Sequence, residues 1–173
     1  MITITLQQIE AHRPCVSGWA KVLKANGGAN ADRTQPFALA SVLDSNDLDD
    51  TLWCLKCLPE YGAVWRLYAV WCARQIQHLM VDQRSIRALD VATDYALGKA
   101  TSTELAAAAD KAYTYPAYAT YAARAAAAYA AYTAADAHSA DIADAARKKQ
   151  ADMIRRVLNA YAPLDEIKAA LNV

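Results

Sequence analysis

Residues 101–162 read TSTELAAAADKAYTYPAYATYAARAAAAYAAYTAADAHSADIADAARKKQADMIRRVLNAYA, and this stretch decides the fold. It contains no glycine and one proline, Pro116. From Glu104 to Ala146 about half of the residues are Ala, the strongest helix former. Thr101-Ser102-Thr103-Glu104 has the form of a capping box that opens a helix. Pro116 predicts a kink, with Tyr115 pushed out of helical geometry because the proline ring crowds the residue before it. From Ala117 to Ala162 nothing breaks the helix, so the chain predicts one rod of 46 residues, about 69 Å long at about 1.5 Å per residue. Pro163-Leu164-Asp165-Glu166 then opens a short terminal helix with Ile167 and Leu171 facing inward.

Six of the ten tyrosines lie between 113 and 132, and no Leu, Val, Phe or Trp occurs between 106 and 156. At about 100° per residue, Tyr118, Tyr121, Tyr129 and Tyr132 fall within an arc of about 80°. Ile154, Val157, Leu158 and Tyr161 continue that arc, and Asp136 and Arg147 interrupt it. Two readings fit this pattern. In one, Ala lets a neighbouring helix approach and Tyr adds bulk to a core or self-association seam. In the other, the rings form a contact surface, since Tyr gives large contact area at low entropic cost. That surface would comprise Tyr113 and Tyr115 beside Pro116, the four aligned tyrosines, and Arg124 at the edge.

Working back toward the N-terminus, punctuation marks further helices. Thr5-Leu6-Gln7-Gln8 is a capping box for a helix that ends before Pro14. Ser17 is placed to cap a second helix, stopped by Asn26-Gly27-Gly28. Pro36 fits the first turn of a helix carrying Phe37, Leu39, Val42 and Leu43. Asp47 caps the next, with Asp49 and Asp50 in its first turn and Leu48, Leu52, Leu55 and Leu58 on its inner face, up to Pro59. Residues 61–80 predict another helix, and Asp82 starts one that closes at Gly98. Trp53, Trp65 and Trp71 read as core anchors. Only Ile2-Thr3-Ile4 hints at a strand, too short to demand a sheet. The fold class is all-α: an N-terminal helical bundle over 1–100, followed by long Ala-rich helices over 101–173, a hairpin kinked near Pro116, packing on it.

Eighteen Lys and Arg balance eighteen Asp and Glu, ten of each before residue 100 and eight of each after it. No net field steers the protein onto nucleic acid or an anionic membrane. Arg147, Lys148 and Lys149 with Arg155 and Arg156 read as a solvated face interleaved with Asp144 and Asp152. No charge-free run of 18 apolar residues predicts a membrane span. The N-terminus reads as no secretory signal, and the compartment expected is a bacterial host's cytoplasm. Cys15, Cys54, Cys57 and Cys72 are then expected as reduced thiols. Cys54 and Cys57 with Cys72 and His78 are the one set that zinc chemistry could recruit. Their apolar surroundings favour core packing, so no metal or cofactor is expected. Asp44, Asp47, Asp49 and Asp50 lack the Gly and Glu of a calcium loop, with Asp49 and Leu55 in those places. No G-x-S-x-G, H-E-x-x-H, GxGxxG or P-loop occurs, and no catalytic residue is assigned.

Pro14-Cys15-Val16-Ser17-Gly18-Trp19, then Leu43-Asp44-Ser45-Asn46-Asp47-Leu48-Asp49-Asp50-Thr51-Leu52-Trp53-Cys54-Leu55, resembles the N-terminal module of an Ala-rich family from bacteriophages and prophages. Arg84-Ser85-Ile86-Arg87-Ala88-Leu89-Asp90, with Tyr95 to Ala100 and Glu104 to Ala108, resembles the helical core of an immunity-protein family. Together these cover roughly residues 14–140. The resemblance implies an inhibitory or protective role and supplies no catalytic residues. Here Tyr stands where such proteins repeat Ala-Ala-Arg. The function expected is a non-enzymatic inhibitor, of immunity or anti-defence type, that occludes a protein partner and forms a dimer. The alternatives are a module that stacks a nucleotide or small ligand on the Tyr and Arg face, and a self-associating structural protein.

Overall fold

The structure, a computed structural model, describes residues 1–75, 77–80, 82–112 and 140–173. Within these residues the fold is all-α, with nine α-helices and one pair of two-residue strands. Helix α1 (Leu6–Ala11) starts at the Thr5 capping box, complete in both directions. Helix α2 (Val16–Ala25) ends at Asn26, followed by Gly27 in the left-handed region. Helices α3 (Ser41–Ser45) and α4 (Leu48–Cys54) meet at Asn46-Asp47, and the Asp47 carboxylate accepts from the Asp50 amide at 2.8 Å. Helix α5 is Gly62–Arg74 and α6 is Gln83–Ala96, capped by Asp82. Gly98, at φ +72°, turns the chain toward α7 (Ser102–Ala112). Thr101 and Glu104 close that helix's capping box, with the Thr101 amide donating to Oε2 at 2.7 Å. Helices α8 (Ala140–Asn159) and α9 (Pro163–Leu171) end the chain.

Helix α5 is the centre. Apart from Arg66, every residue from Val64 to Ala73 is buried, so other elements cover this helix on all sides. One hydrophobic cluster joins it to Ile2, Ile4, Leu6 and Ile9, to Leu52, Leu55 and Leu58, and to Met153, Ile154, Val157, Leu158 and Ile167. Two buried side chains of the central helix find partners for their polar atoms, as the low interior polarity favours. The Trp65 indole donates to the Leu58 carbonyl at 2.9 Å, and the Tyr68 hydroxyl to the Gln150 carbonyl of α8 at 3.1 Å. The Ile2 amide donates to the Leu158 carbonyl at 2.7 Å, satisfying an acceptor left over at a helix end.

Four expectations are corrected. Phe37-Ala38 does not begin a helix but forms strand β2, antiparallel to β1 (Thr3–Ile4). The extended backbone there gives the buried Ile2 and Ile4 segment its hydrogen bonds, extended by the Leu39 amide to the Ile2 carbonyl at 3.1 Å. Helix α5 stops at Arg74 rather than running to 80, and Gln77–Leu79 forms a separate 3₁₀ turn. Helix α8 ends at Asn159, short of Ala162, which lies outside helical geometry as its place before Pro163 favours. Tyr161 therefore leaves the apolar arc and is fully exposed. The kink near Pro116, and residues 117–139 of the expected rod, lie outside the described residues.

Ile154 is wholly buried, so Ile154→Ala is expected to lower unfolding free energy by about 2–5 kcal/mol in urea titration. Tyr68→Phe, which removes the hydrogen bond to α8, is expected to cost about 1 kcal/mol. An Ile154→Ala loss too small to resolve would show that α8 is not part of the core.

Candidate functional site

Pro14 ends the run-out of α1 and delivers Cys15 to the N-terminus of α2. Cys15 has extended geometry and is itself the N-cap, in place of the expected Ser17. Its sulfur accepts from the Gly18 amide at 3.3 Å and lies 3.5 Å from Ser17 Oγ. The thiol is exposed. Hydrogen bonding to Ser17, then to the Gly18 amide, holds its pKa below the ordinary thiol value, with desolvation and then Asp50 opposing. The positive end of the helix dipole acts in the same sense.

Gly18 suits the close approach of α4. A Cβ there would stand 3.0 Å from Asp50 Oδ2 and 3.1 Å from Cys15 Sγ. Asn46 fixes the junction by donating Nδ2 to the Gly18 carbonyl at 2.9 Å and to Asp50 Oδ2 at 2.8 Å. Beside these groups lies a groove of about 250 Å³. Ile9, Pro14, Val22, Val42, Trp53 and Cys54 supply its apolar walls, and Cys15, Asn46, Asp49 and Asp50 its polar ones. Asp49 pairs with Arg147 of α8 at 2.9 Å. Trp53, expected as a core anchor, is only half-buried and carries the Lys56 ammonium 3.8 Å from its ring centroid. Trp65 and Trp71 are buried in the core as expected.

The remaining cysteines pack as core. Cys54, Cys57 and Cys72 are buried, and burial raises their thiols, Cys57 to about 11 and Cys72 to about 12. His78 is exposed, and among the described residues no three His, Cys, Asp or Glu side chains gather as metal ligands. The four acidic residues of 44–50 have other partners instead: Asp47 caps α4, Asp44 takes Arg155 at 2.7 Å, Asp49 takes Arg147, and Asp50 accepts from Asn46. The basic patch of α8 is thus partly tied across elements rather than wholly a solvated face. Lys148 pairs with Asp152 on its own helix, and Arg156 with Glu166 of α9. No described helix is long and apolar enough to cross a membrane. The expected contact residues Tyr113, Tyr115, Tyr118, Tyr121, Arg124, Tyr129 and Tyr132 lie outside the described residues.

Sequence reasoning counted Cys15 among four thiols and did not single it out. The available signal was a cysteine between a proline and Val-Ser-Gly at a helix start. Asn46 and Asp50 read as turn and capping residues, and nothing local in the sequence places them against Gly18.

Two pH responses follow. Cys15, exposed and stabilised as thiolate, is expected to alkylate first, its rate rising at lower pH than for free cysteine; Ser17→Ala should shift that rise upward. For Cys54 and Cys72 the folded state holds the proton more tightly than the unfolded state. Their contribution to stability is full below the ordinary thiol value near 9 and is lost as pH climbs toward the folded values. Urea midpoints should therefore fall above pH 9, and less steeply in Cys54→Ala/Cys72→Ala. Equal alkylation of all four thiols in the native protein would contradict both expectations.

Comparison of the chain with protein-family profiles, with curated proteins and with solved structures found no match.

Proposed function

We propose that this chain is a non-enzymatic binding protein that inhibits a protein partner by occlusion, in the manner of an immunity or anti-defence protein. The observation that carries the reading is the tyrosine arc. Counted back from α8 at helical spacing, Tyr132, Tyr129, Tyr121 and Tyr118 share the arc of Ile154. The globule holds α8 at a defined rotation, because Met153, Ile154, Val157 and Leu158 are buried and Tyr68 grips Gln150. Ala between the rings in sequence would let a neighbouring surface approach closely, and Tyr suits a contact surface because it is large, rigid and amphipathic. The groove beside Cys15 adds a second concave surface with apolar and polar walls, which suits binding. The phage and prophage likeness of residues 14–55 points to the same class of role.

Affinity capture from a bacterial host lysate tests the reading. The wild-type chain is expected to retain a stoichiometric protein that the combined Tyr118→Ala, Tyr121→Ala, Tyr129→Ala and Tyr132→Ala variant loses, with the melting temperature unchanged. Light scattering on the same samples is expected to show a dimer for the wild type. Equal capture by both chains, or a partner recovered by neither, would contradict the proposal.

A further inference from the structure

The groove between α2 and α4 lies apart in sequence from the tyrosine arc, and we infer that it receives the basic side chain of an arginine or lysine presented by a protein partner. Size comes first. At about 250 Å³, the groove falls below the roughly 300–1,000 Å³ of clefts that enclose drug-sized ligands, and it suits one long side chain. Ile9, Val22, Val42 and Trp53 offer apolar wall for the methylene stem, which long cationic side chains bury while the head stays polar.

Charge sets the sign of the head group. Two carboxylates, Asp49 and Asp50, line the groove. Asp49 already holds the Arg147 guanidinium at 2.9 Å, so a guanidinium is sterically accepted on this rim. Among the described residues the Asp50 carboxylate receives one neutral donor, the Asn46 amide at 2.8 Å, and no cation pairs with it. Asn46, bonded to both Asp50 and the Gly18 carbonyl, fixes that carboxylate against α2 in advance, which lowers the ordering cost of binding. With no Cβ at Gly18, Asp50 stands there without crowding; a Cβ would lie 3.0 Å from its Oδ2. With Asp49 paired to Arg147, the carboxylate left without a cation among the described residues is Asp50, and it disfavours an anionic group in the groove. Val16, next to Cys15 in the first turn of α2, is 88% exposed. A protein surface would cover this apolar side chain, whereas a free small cation would leave it in water.

Cys15 at the rim is a built-in reporter. Its modification is timed with two methanethiosulfonates of similar size, the cationic trimethylammonium-ethyl and the anionic sulfonatoethyl reagent. Each transfers its alkylthio group to the thiolate and releases methanesulfinate, so their rate ratio cancels any change in thiolate fraction. The ratio is expected to favour the cation and to fall roughly threefold or more in Asp50→Asn. The same ratio in both proteins would overturn the inference. A second measurement needs no variant. Ac-Ala-Arg-Ala-NH2 is expected to slow N-ethylmaleimide modification of Cys15 in the wild-type chain, while Ac-Ala-Gln-Ala-NH2 leaves it unchanged. Equal effects of the two peptides, or protection by n-butylguanidinium and not by the arginine peptide, would overturn it. Both measurements read the groove alone, so they succeed or fail independently of the tyrosine contact surface.

Discussion

The seating of Ile154, Val157 and Leu158 against the central helix is the constraint on which the other features rest. All three are fully buried in the same cluster as Leu67 and Tyr68 of α5 and Ile2 and Ile4 at the N-terminus. Burial of each such aliphatic side chain is worth about 1.5–3 kcal/mol, whereas the exposed ion pairs around them contribute about 0–1 kcal/mol each. Hydrophobic contact therefore holds α8 in place, and the charges adjust its register. The closing backbone bond, Ile2 amide to Leu158 carbonyl at 2.7 Å, joins residues from opposite ends of the described chain.

That seat also organises the groove. Arg147 and Arg155 project from α8 to Asp49 and Asp44, on either side of the α3–α4 junction. Asn46, within that junction, reaches across to Gly18 of α2. A chain of packed and hydrogen-bonded groups thus runs from the apolar face of α8 to the Cys15 rim. Mutations in the α8 core are for that reason expected to alter the groove without touching it.

Local signals in the sequence were legible where one residue decides geometry. Thr5, Asp47, Asp82 and Thr101 cap where their side chains and spacing require, Gly98 takes the positive φ after α6, and Pro163 opens α9. The leucines of α4 and the following turn are buried as their spacing implies. Features that depend on distant partners were not legible. Phe37-Ala38 becomes a strand because Thr3-Ile4 needs hydrogen bonds, a fact invisible from residues 36–43. Cys15 displaces Ser17 as a cap although sulfur is a weak acceptor, and Asp50 stands beside Gly18 only once α2 and α4 have packed. The tyrosine arc itself remains a property of the sequence.

Native-state hydrogen exchange tests the central claim most directly, because amides that open only with the whole molecule report a shared core. If the C-terminal helix completes that core, the amides of Val157 and Leu158 exchange at the slow global rate of Leu67 and Tyr68, and denaturant accelerates all four in parallel. Fast exchange at 157–158 while α5 stays protected would contradict the account, since α8 would then be an appendage to a globule that closes without it.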